Sequence, residues 1–293
     1  IKRRVALKVI RPDALLVPGS KERFLREAEL AGRINHSHVV TVYEVGESDG
    51  LAYIAMELCS GGSLGDWLAA RPGPVPPRLA AQIVRDLAEA AAHAHGQRVI
   101  HRDLTPGNVL LAADPHGLLE VGGYPCRAKL ADFGLAVGLA DEGSEDGERL
   151  TQLGTTMGTY AWMAPEQFDP AEFGPVGPLA DVHALGLILD RLLTGTVPHA
   201  GRSRTEVIRA ITLGEPRPAD EAVPGLPRDI VAVGLKSRAK RPQERYASAA
   251  DFAADLRRFL AGAQTIARPR SGVERLLRQC RKHAVAIGGA GAL

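Results

Sequence analysis

The sequence predicts an α+β fold with two lobes, a small β-rich N-terminal lobe and a larger helical C-terminal lobe. Residues 5–10, 39–45 and 51–57 are short apolar runs of the composition typical of strands. Downstream, apolar residues recur at helical spacing over 78–95. The helix predicted at 181–193 is apolar almost all round, which indicates that it is buried.

The turns and caps of the N-terminal lobe support this prediction. Ser20 is a suitable N-cap after the Pro18-Gly19 turn, and residues 21–34 then place apolar side chains on one face of a helix. The Ser48-Asp49-Gly50 turn joins the second and third strands as a hairpin.

The C-terminal lobe is predicted mainly as a series of helices. A Pro/Gly-rich stretch closes the short helix at 65–70, and Thr194-Gly195 ends the buried helix. Residues 112–127 are rich in Gly and Pro and are predicted as an insertion before the next strand. Three further amphipathic helices are predicted, over 203–213, 227–236 and 248–260.

Composition excludes several classes of protein. The 36 basic and 34 acidic residues give a net charge of +2, so no nucleic-acid partner is expected. Cys59, Cys126 and Cys280 lie far apart without metal-ligand spacing, which favours a reducing compartment over a disulfide framework. Because the chain begins at Ile1, inside an apparent strand, we expect it to be a piece of a longer protein.

The stretch IHRDLTPGNVLL, residues 100–111, carries the strongest functional signal. It holds four functional polar side chains within eight residues: His101, Arg102, Asp103 and Asn108. Apolar residues precede and follow them, an arrangement that anchors both ends of a loop and leaves its chemistry exposed.

Three further motifs accompany this loop. Lys8 lies inside an apolar strand, where a lysine is costly unless it is paired. Glu27, next to the apolar face of the first helix, is its candidate partner; the alternatives are a solvated Glu27 and an edge-strand Lys8 that reaches water. Asp132-Phe133-Gly134 and Ala164-Pro165-Glu166 follow downstream.

In this order the motifs resemble the catalytic domain of protein kinases, over about residues 1–262. The resemblance is closest to bacterial Ser/Thr kinases of the eukaryotic-like type. It implies the bilobal protein-kinase fold, with the small lobe incomplete. The domains expected are a partial kinase N-lobe at 1–57, a hinge at 58–62 and a kinase C-lobe at 63–262.

The resemblance also implies the chemistry, transfer of the γ-phosphate of ATP to protein hydroxyls with Mg²⁺ or Mn²⁺. Lys8 would hold the α- and β-phosphates, and Glu27 would orient it. Asp103 would accept the proton of the substrate hydroxyl, and Asn108 and Asp132 would bind the metal. The residues expected to line the ATP site are Lys8, Ala6, Met56, Glu57, Cys59, Leu110 and Asp132.

Other residues resemble structural and regulatory positions of the family. The structural set is His101, Phe133, Gly134, Glu166, Asp181 and Arg245. Arg102 is expected to pair with a phosphate on the activation segment. The candidate phosphosites are Thr151, Thr155 and Thr156, of which Thr151 is favoured, and Thr159 is expected to line the substrate site.

The resemblance implies protein substrates, and a homodimer for trans-autophosphorylation is an open expectation. Residues 263–283 form a basic tail of the kind that precedes a membrane helix, and 284–293 carry no charge. Two interpretations of this end have equal weight: a cytoplasmic kinase domain anchored through sequence after residue 293, and a disordered tail. Ten apolar residues alone do not span a bilayer.

The sequence departs from the family pattern at Thr105, where Ser/Thr kinases usually carry a lysine that neutralises γ-phosphate charge. This departure supports the alternative of a pseudokinase, a binding or scaffold module of the same fold. A small-molecule kinase of related fold is a third alternative. The segment GTYAWMAPEQ, which resembles a platform for peptide substrates, argues against it.

A second departure concerns nucleotide affinity. Only seven residues precede Lys8, so the polypeptide 1–293 carries no glycine-rich loop to cover the phosphates. We therefore expect this polypeptide alone to bind ATP poorly and to have an unstable N-lobe. Isothermal titration calorimetry with Mg²⁺-ATP checks this, and a micromolar dissociation constant would contradict it.

Overall fold

A computed structural model describes residues 3–10, 19–48, 50–71, 73–133, 159–198 and 203–268, except the side chains of Ser20, Arg23 and Glu27. Several predicted positions lie outside the described residues: Gly134, Thr151, Thr155, Thr156 and the tail from 269 onward. Among the described helices, none combines the length and the apolar character needed to cross a membrane.

The N-terminal lobe consists of a three-stranded antiparallel sheet and one helix. The strands are β1 (Val5–Val9), β2 (Val42–Ser48) and β3 (Leu51–Glu57), in the order β1-β3-β2, and the helix is α1 (Ser20–Arg33). The register places Lys8 opposite Ile54, and Ala6 opposite Met56. Alternation along β1 puts Lys8 and Ala6 on one face and the exposed apolar side chains on the other.

The second predicted strand begins later than its sequence pattern indicates, at Val42 instead of Val39. Residues 38–40 pair instead with the C-terminal lobe: the Val40 N–H donates to the Leu130 carbonyl (2.8 Å), and the Leu130 N–H donates to the His38 carbonyl (2.8 Å). The β-rich composition of this run therefore serves a contact between lobes.

The C-terminal lobe is mainly helical, as predicted. Its helices are α2 (Leu64–Ala69), α3 (Pro77–Gly96), α4 (Pro170–Phe173), α5 (Pro178–Thr194), α6 (Arg204–Leu213), α7 (Ala219–Ala222), α8 (Arg228–Ser237) and α9 (Ala249–Leu260). Short 3₁₀ helices cover Pro106–Asn108, Tyr160–Trp162, Pro165–Gln167 and Pro242–Glu244. The small β-sheet lobe and larger helical lobe confirm the predicted α+β class.

A second small sheet lies beside the helices of this lobe. Its strands are β4 (Val109–Ala113), β5 (Leu119–Val121) and β6 (Tyr124–Leu130), in the order β4-β6-β5. The range predicted as a Gly/Pro-rich insertion, 112–127, contains the end of β4, all of β5 and the start of β6, so the next strands begin earlier than that composition indicates. Gly122-Gly123, both at positive φ (58° and 82°), makes a tight hairpin turn that joins β5 to β6.

Helix α5 is the centre of the C-terminal core. Thirteen of its residues are buried, as its all-round apolar pattern predicts, and it packs against α3, α8 and α9. Gly195 ends it in the left-handed conformation, at φ 72°. The first turn of this buried helix carries one acidic side chain, Asp181.

A buried ion pair joins the 3₁₀ helix at 165–167 to the segment just before α9. Arg245 donates from two nitrogens to the two Glu166 oxygens (2.6 and 2.8 Å), and both side chains are almost fully buried. Arg245 also donates to three backbone carbonyls, those of Leu179, Ala239 and Lys240. The predicted pairing of Glu166 with Arg245 is thus present in the fold.

We expect Arg245→Ala to lower the free energy of unfolding by about 3–5 kcal/mol, because it leaves the Glu166 carboxylate buried and unpaired. The matched control is Arg241→Ala, which removes an exposed pair with Glu172 (3.0 Å) and should cost no more than about 1 kcal/mol. Urea denaturation of both variants measures the difference. Equal losses would contradict the burial argument.

Candidate active site

The loop at 101–103 turns sharply, and the Asp181 carboxylate accepts hydrogen bonds from its backbone. One Asp181 oxygen accepts hydrogen bonds from the His101 N–H (2.9 Å) and the His95 ring (2.7 Å); the other accepts from the Arg102 N–H (2.9 Å). Arg102 has φ 64°, a left-handed conformation that costs a non-glycine residue about 1–2 kcal/mol. Three donors on a buried carboxylate therefore hold a strained turn in place.

The environment of Asp181 keeps its carboxylate charged. Burial alone raises the pKa of a carboxyl group, but the hydrogen bond and charge of His95, together with His101, hold the pKa of Asp181 below its ordinary value. A carboxylate that stays ionised is a strong acceptor for the loop's backbone N–H groups.

Asp103 follows this turn and is held by Asn108. The Asn108 Nδ2 donates to the Asp103 carbonyl (2.7 Å) and to its Oδ2 (2.9 Å). The other carboxylate oxygen, Oδ1, is buried and has no hydrogen-bond partner among the described residues. A buried acceptor without a partner is costly, and a catalytic role is one physical reason for keeping it.

Burial is the main reason that the pKa of Asp103 lies above its ordinary value. The nearby charge of Asp132 adds to this increase, whereas His101, the Asn108 hydrogen bond and Lys8 oppose it. Because Lys8 belongs to one lobe and the other groups to the second, both lobes contribute to the electrostatic environment of Asp103.

Lys8 reaches this environment from the N-terminal lobe. Its Nζ lies 2.7 Å from Asp132 Oδ1, and each side chain is about two-fifths exposed. Asp132 itself has φ 56°, a second left-handed non-glycine residue beside the loop. Glu27, the predicted partner of Lys8, lies on α1, but its side chain is outside the described part of the structure.

An imidazole ring and a phenyl ring hold the segment around Asp132. His101 Nε2 bonds with the Ala131 carbonyl (2.8 Å), and its ring lies 4.7 Å from that of Phe133. Both rings are buried. They fix the position of Asp132 relative to Asp103.

Lys8 and Asp132 line a cavity of about 50 Å³. Met56 lines it together with Phe133 and apolar side chains of α1. Two other residues predicted at the ATP site do not line this cavity: Ala6 lies opposite Met56 on the neighbouring strand, and Leu110 forms a β-bridge with Ser63 after the hinge.

The side chains of Glu57, at the end of β3, and of Cys59, in the hinge, make contacts within the protein. The Glu57 carboxylate accepts from Lys129 Nζ (2.7 Å) and from the Thr41 N–H (3.2 Å). The Cys59 Sγ faces the Glu57 carbonyl (3.9 Å), and burial, above all, raises the pKa of the thiol to about 11.

Comparison with known proteins decides the family. The family model for the protein kinase domain matches residues 1–253. The chain belongs to the protein kinase family. It is 38% identical over 250 residues to Serine/threonine-protein kinase PknH of Mycobacterium bovis, an alignment that covers 85% of this chain and 38% of that protein.

Two further relatives place this kinase-family chain among bacterial ones. It is 36% identical over 266 residues to Serine/threonine-protein kinase PknB of Mycobacterium leprae, covering 89% of this chain and 40% of that protein. The PknI kinase domain of Mycobacterium tuberculosis matches with a TM-score of 0.61 and 28% identity, over 86% of this chain and 84% of that chain. The chain thus spans about two-fifths of the length of the curated relatives it matches.

Sequence reasoning missed three residues of the candidate active site. Gln167 donates from Nε2 to the Arg102 carbonyl (2.8 Å), His95 bonds to Asp181, and Lys129 pairs with Glu57. For Gln167, the sequence offered one local signal of a role in the site, its place directly after the Ala164-Pro165-Glu166 motif. Thr159, the predicted substrate-site residue, accepts from the Trp162 N–H (3.1 Å) and begins the same segment.

We expect Asp103→Asn to stabilise the kinase fold at neutral pH. Because burial raises the pKa of Asp103 in the folded state, the stability linked to its protonated form is present below the unfolded-chain pKa, about 3.9, and is lost as pH rises through the folded pKa. Asn, which does not ionise, avoids that loss. The gain in the free energy of unfolding should therefore be largest near pH 7 and shrink toward about pH 4.

Urea denaturation at both pH values tests this, with Asp114→Asn as the control. A backbone hydrogen bond from the His116 N–H is the largest cause that lowers the pKa of Asp114, so its stabilising contribution is present at neutral pH and disappears in acid. Asp114→Asn should thus destabilise at pH 7. Opposite signs for the two variants support the assignment, and equal signs contradict it.

Proposed function

We propose that this protein is an ATP-dependent protein Ser/Thr kinase. The observation that carries the proposal is the convergence of Lys8, Asp132, Asp103 and Asn108, from two lobes and two loops, on one place. The names of the relatives, which are Ser/Thr-protein kinases, support the same activity.

In this proposal Asp103 is the general base. Its Oδ1, which is buried and has no partner among the described residues, would accept the proton of a substrate hydroxyl. The hydroxyl oxygen would then bond to the γ-phosphorus as the bond from that phosphorus to the β-γ bridging oxygen breaks and ADP leaves. Asn108 holds Oδ2, so the proton-accepting oxygen keeps one direction.

Magnesium fits the donor set beside Asp103. Asp132 offers a carboxylate, and the Asn108 amide, whose nitrogen faces Asp103, offers its oxygen; hard oxygen atoms are the ligands that Mg²⁺ prefers. Among the described residues, no group of three or more His, Cys, Asp or Glu side chains is placed to hold a metal, so phosphate oxygens would complete the shell. The ion would neutralise charge on the phosphates.

Lys8 would hold the phosphates of ATP. In the structure its amine pairs with Asp132, within 2.7 Å, which keeps the amine at the metal-binding side chain. We propose that Glu27, on α1, supports the amine when phosphates bind, as the resemblance to kinases implies.

We propose that the substrate is a protein. The segment from Thr159 to Gln167 is packed by Tyr160 and Met163 against Val207 and Ile211 of α6, which gives a fixed surface next to Asp103. Control by phosphorylation of Thr151, with Arg102 as the receiving cation, and trans-autophosphorylation in a homodimer are the regulatory part of the proposal.

The test is incorporation of labelled γ-phosphate from ATP by the full-length protein, into itself and into a general protein substrate. Asp103→Asn should lower the rate by about 100-fold or more, because the general base is lost. The matched control Asp220→Asn, on α7, makes the same chemical change away from the site and should keep the rate.

The pseudokinase alternative predicts a different result. Thr105, which provides no cation where the family usually has a lysine, favours it. A folded protein that binds Mg²⁺-ATP without any phosphate transfer, with Asp103→Asn indistinguishable from wild type, would support that alternative and overturn the proposed activity.

A further inference from the structure

Gln167 is the residue of the 165–167 helix whose side chain reaches the loop of Asp103. Its Oε1 accepts from the Ala164 N–H (2.9 Å), and its Nε2 donates to the Arg102 carbonyl (2.8 Å). Because Oε1 faces an N–H group, the orientation of the amide is fixed, and only its nitrogen can face the carbonyl.

The carbonyl that Gln167 holds belongs to the peptide group leading into Asp103. The N–H of Arg102 is held by Asp181 (2.9 Å), so this strained residue at φ 64° is fixed at both its N–H and its C=O. On the far side, Asn108 holds the carbonyl of Asp103 (2.7 Å). The peptides before and after Asp103 are therefore each held by a side-chain amide.

Gln167 is itself firmly placed. It directly follows Glu166, whose carboxylate is held by two hydrogen bonds from buried Arg245. The 165–167 helix is thus bound through Glu166 to Arg245, just before α9, and through Gln167 to the loop of Asp103.

We propose that Gln167 is a positioning residue for phosphoryl transfer, which sets the direction of Asp103 through the Arg102 carbonyl. The inference rests on the proposed kinase function. It assigns to Gln167 no contact with ATP or substrate. Loss of its N–H should therefore affect the chemical step and leave nucleotide binding unchanged, because a base moved by about 1 Å can lower a rate by about 100-fold.

The experiment compares Gln167→Glu with wild type in the full-length protein, not in the polypeptide 1–293, by steady-state kinetics with Mg²⁺-ATP. The substituted side chain keeps an oxygen for the Ala164 N–H but presents a second oxygen to the Arg102 carbonyl. We expect kcat to fall by about 10- to 100-fold with the KM for ATP within about twofold. Gln264→Glu, at an exposed glutamine, adds the same charge and should change neither constant.

A pH profile separates positioning from a general structural defect. When the introduced carboxyl group is protonated, it can again donate to the Arg102 carbonyl, as the glutamine amide does. The ratio of kcat for Gln167→Glu to kcat for wild type should therefore rise as pH falls from about 8 to about 5.5, toward the ordinary pKa of a glutamate side chain. Using the ratio cancels the part of the pH dependence that the two proteins share.

The outcomes distinguish the two proposals. An inactive wild type overturns the proposed function and this inference with it. An active wild type with an unchanged kcat for Gln167→Glu, or a loss of kcat that does not recover in acid, overturns the role of Gln167 alone. If thermal denaturation shows that Gln167→Glu does not fold, Gln167→Met replaces it. Methionine is similar in length and has no N–H, so this variant should show the same loss of kcat at every pH. An unchanged kcat would overturn the role.

Discussion

The buried Asp181 carboxylate is the interaction on which the site depends. A charge inside a protein is costly unless several hydrogen bonds replace its water. Here the replacements are two backbone N–H groups of the His101–Arg102 turn and one imidazole of α3. If the turn relaxed from its left-handed conformation, the buried Asp181 carboxylate would lose hydrogen bonds from its backbone. The free energy cost of that loss keeps the strained backbone of Arg102 in place.

Strand β6 links the loop of Asp103 to Asp132. It pairs with β4, which leaves the loop of Asp103 and Asn108, and with residues 38–40 of the N-terminal lobe. It then leads directly into Ala131 and Asp132. The Lys129–Glu57 pair lies on the same strand and joins it to the end of β3. Strand β6 therefore sets the position of Asp132 relative to both lobes. This position keeps Asp132 within reach of Lys8.

The sequence predicts well those features whose signal is local or periodic. The apolar pattern of α5 fixes its burial, and the close spacing of Asp103 and Asn108 already places them on one loop. It predicts poorly those features that depend on partners distant in sequence. Nothing local distinguishes Val39-Val40 as an inter-lobe contact from the start of β2, and the Gly and Pro residues of 112–127 conceal two strands because one hairpin turn uses the glycines. Gln167 has no sequence signal for its bond to Arg102, 65 residues away.

Around Asp103, several described side chains hold the loop, and one carboxylate oxygen is left for another partner. His101, Asp181, Asn108 and Gln167 direct polar atoms at backbone or at one carboxylate oxygen, and each of these contacts is made within the protein. Among the carboxylate oxygens of the described residues, Asp103 Oδ1 is the one that is buried without such a contact, and burial raises the pKa of that same carboxyl. A fold selected for stability alone would satisfy or remove this oxygen, since a buried unsatisfied acceptor costs about 1–3 kcal/mol. Keeping it unsatisfied, while the backbone on either side is held, is the arrangement that a proton acceptor for an incoming hydroxyl requires.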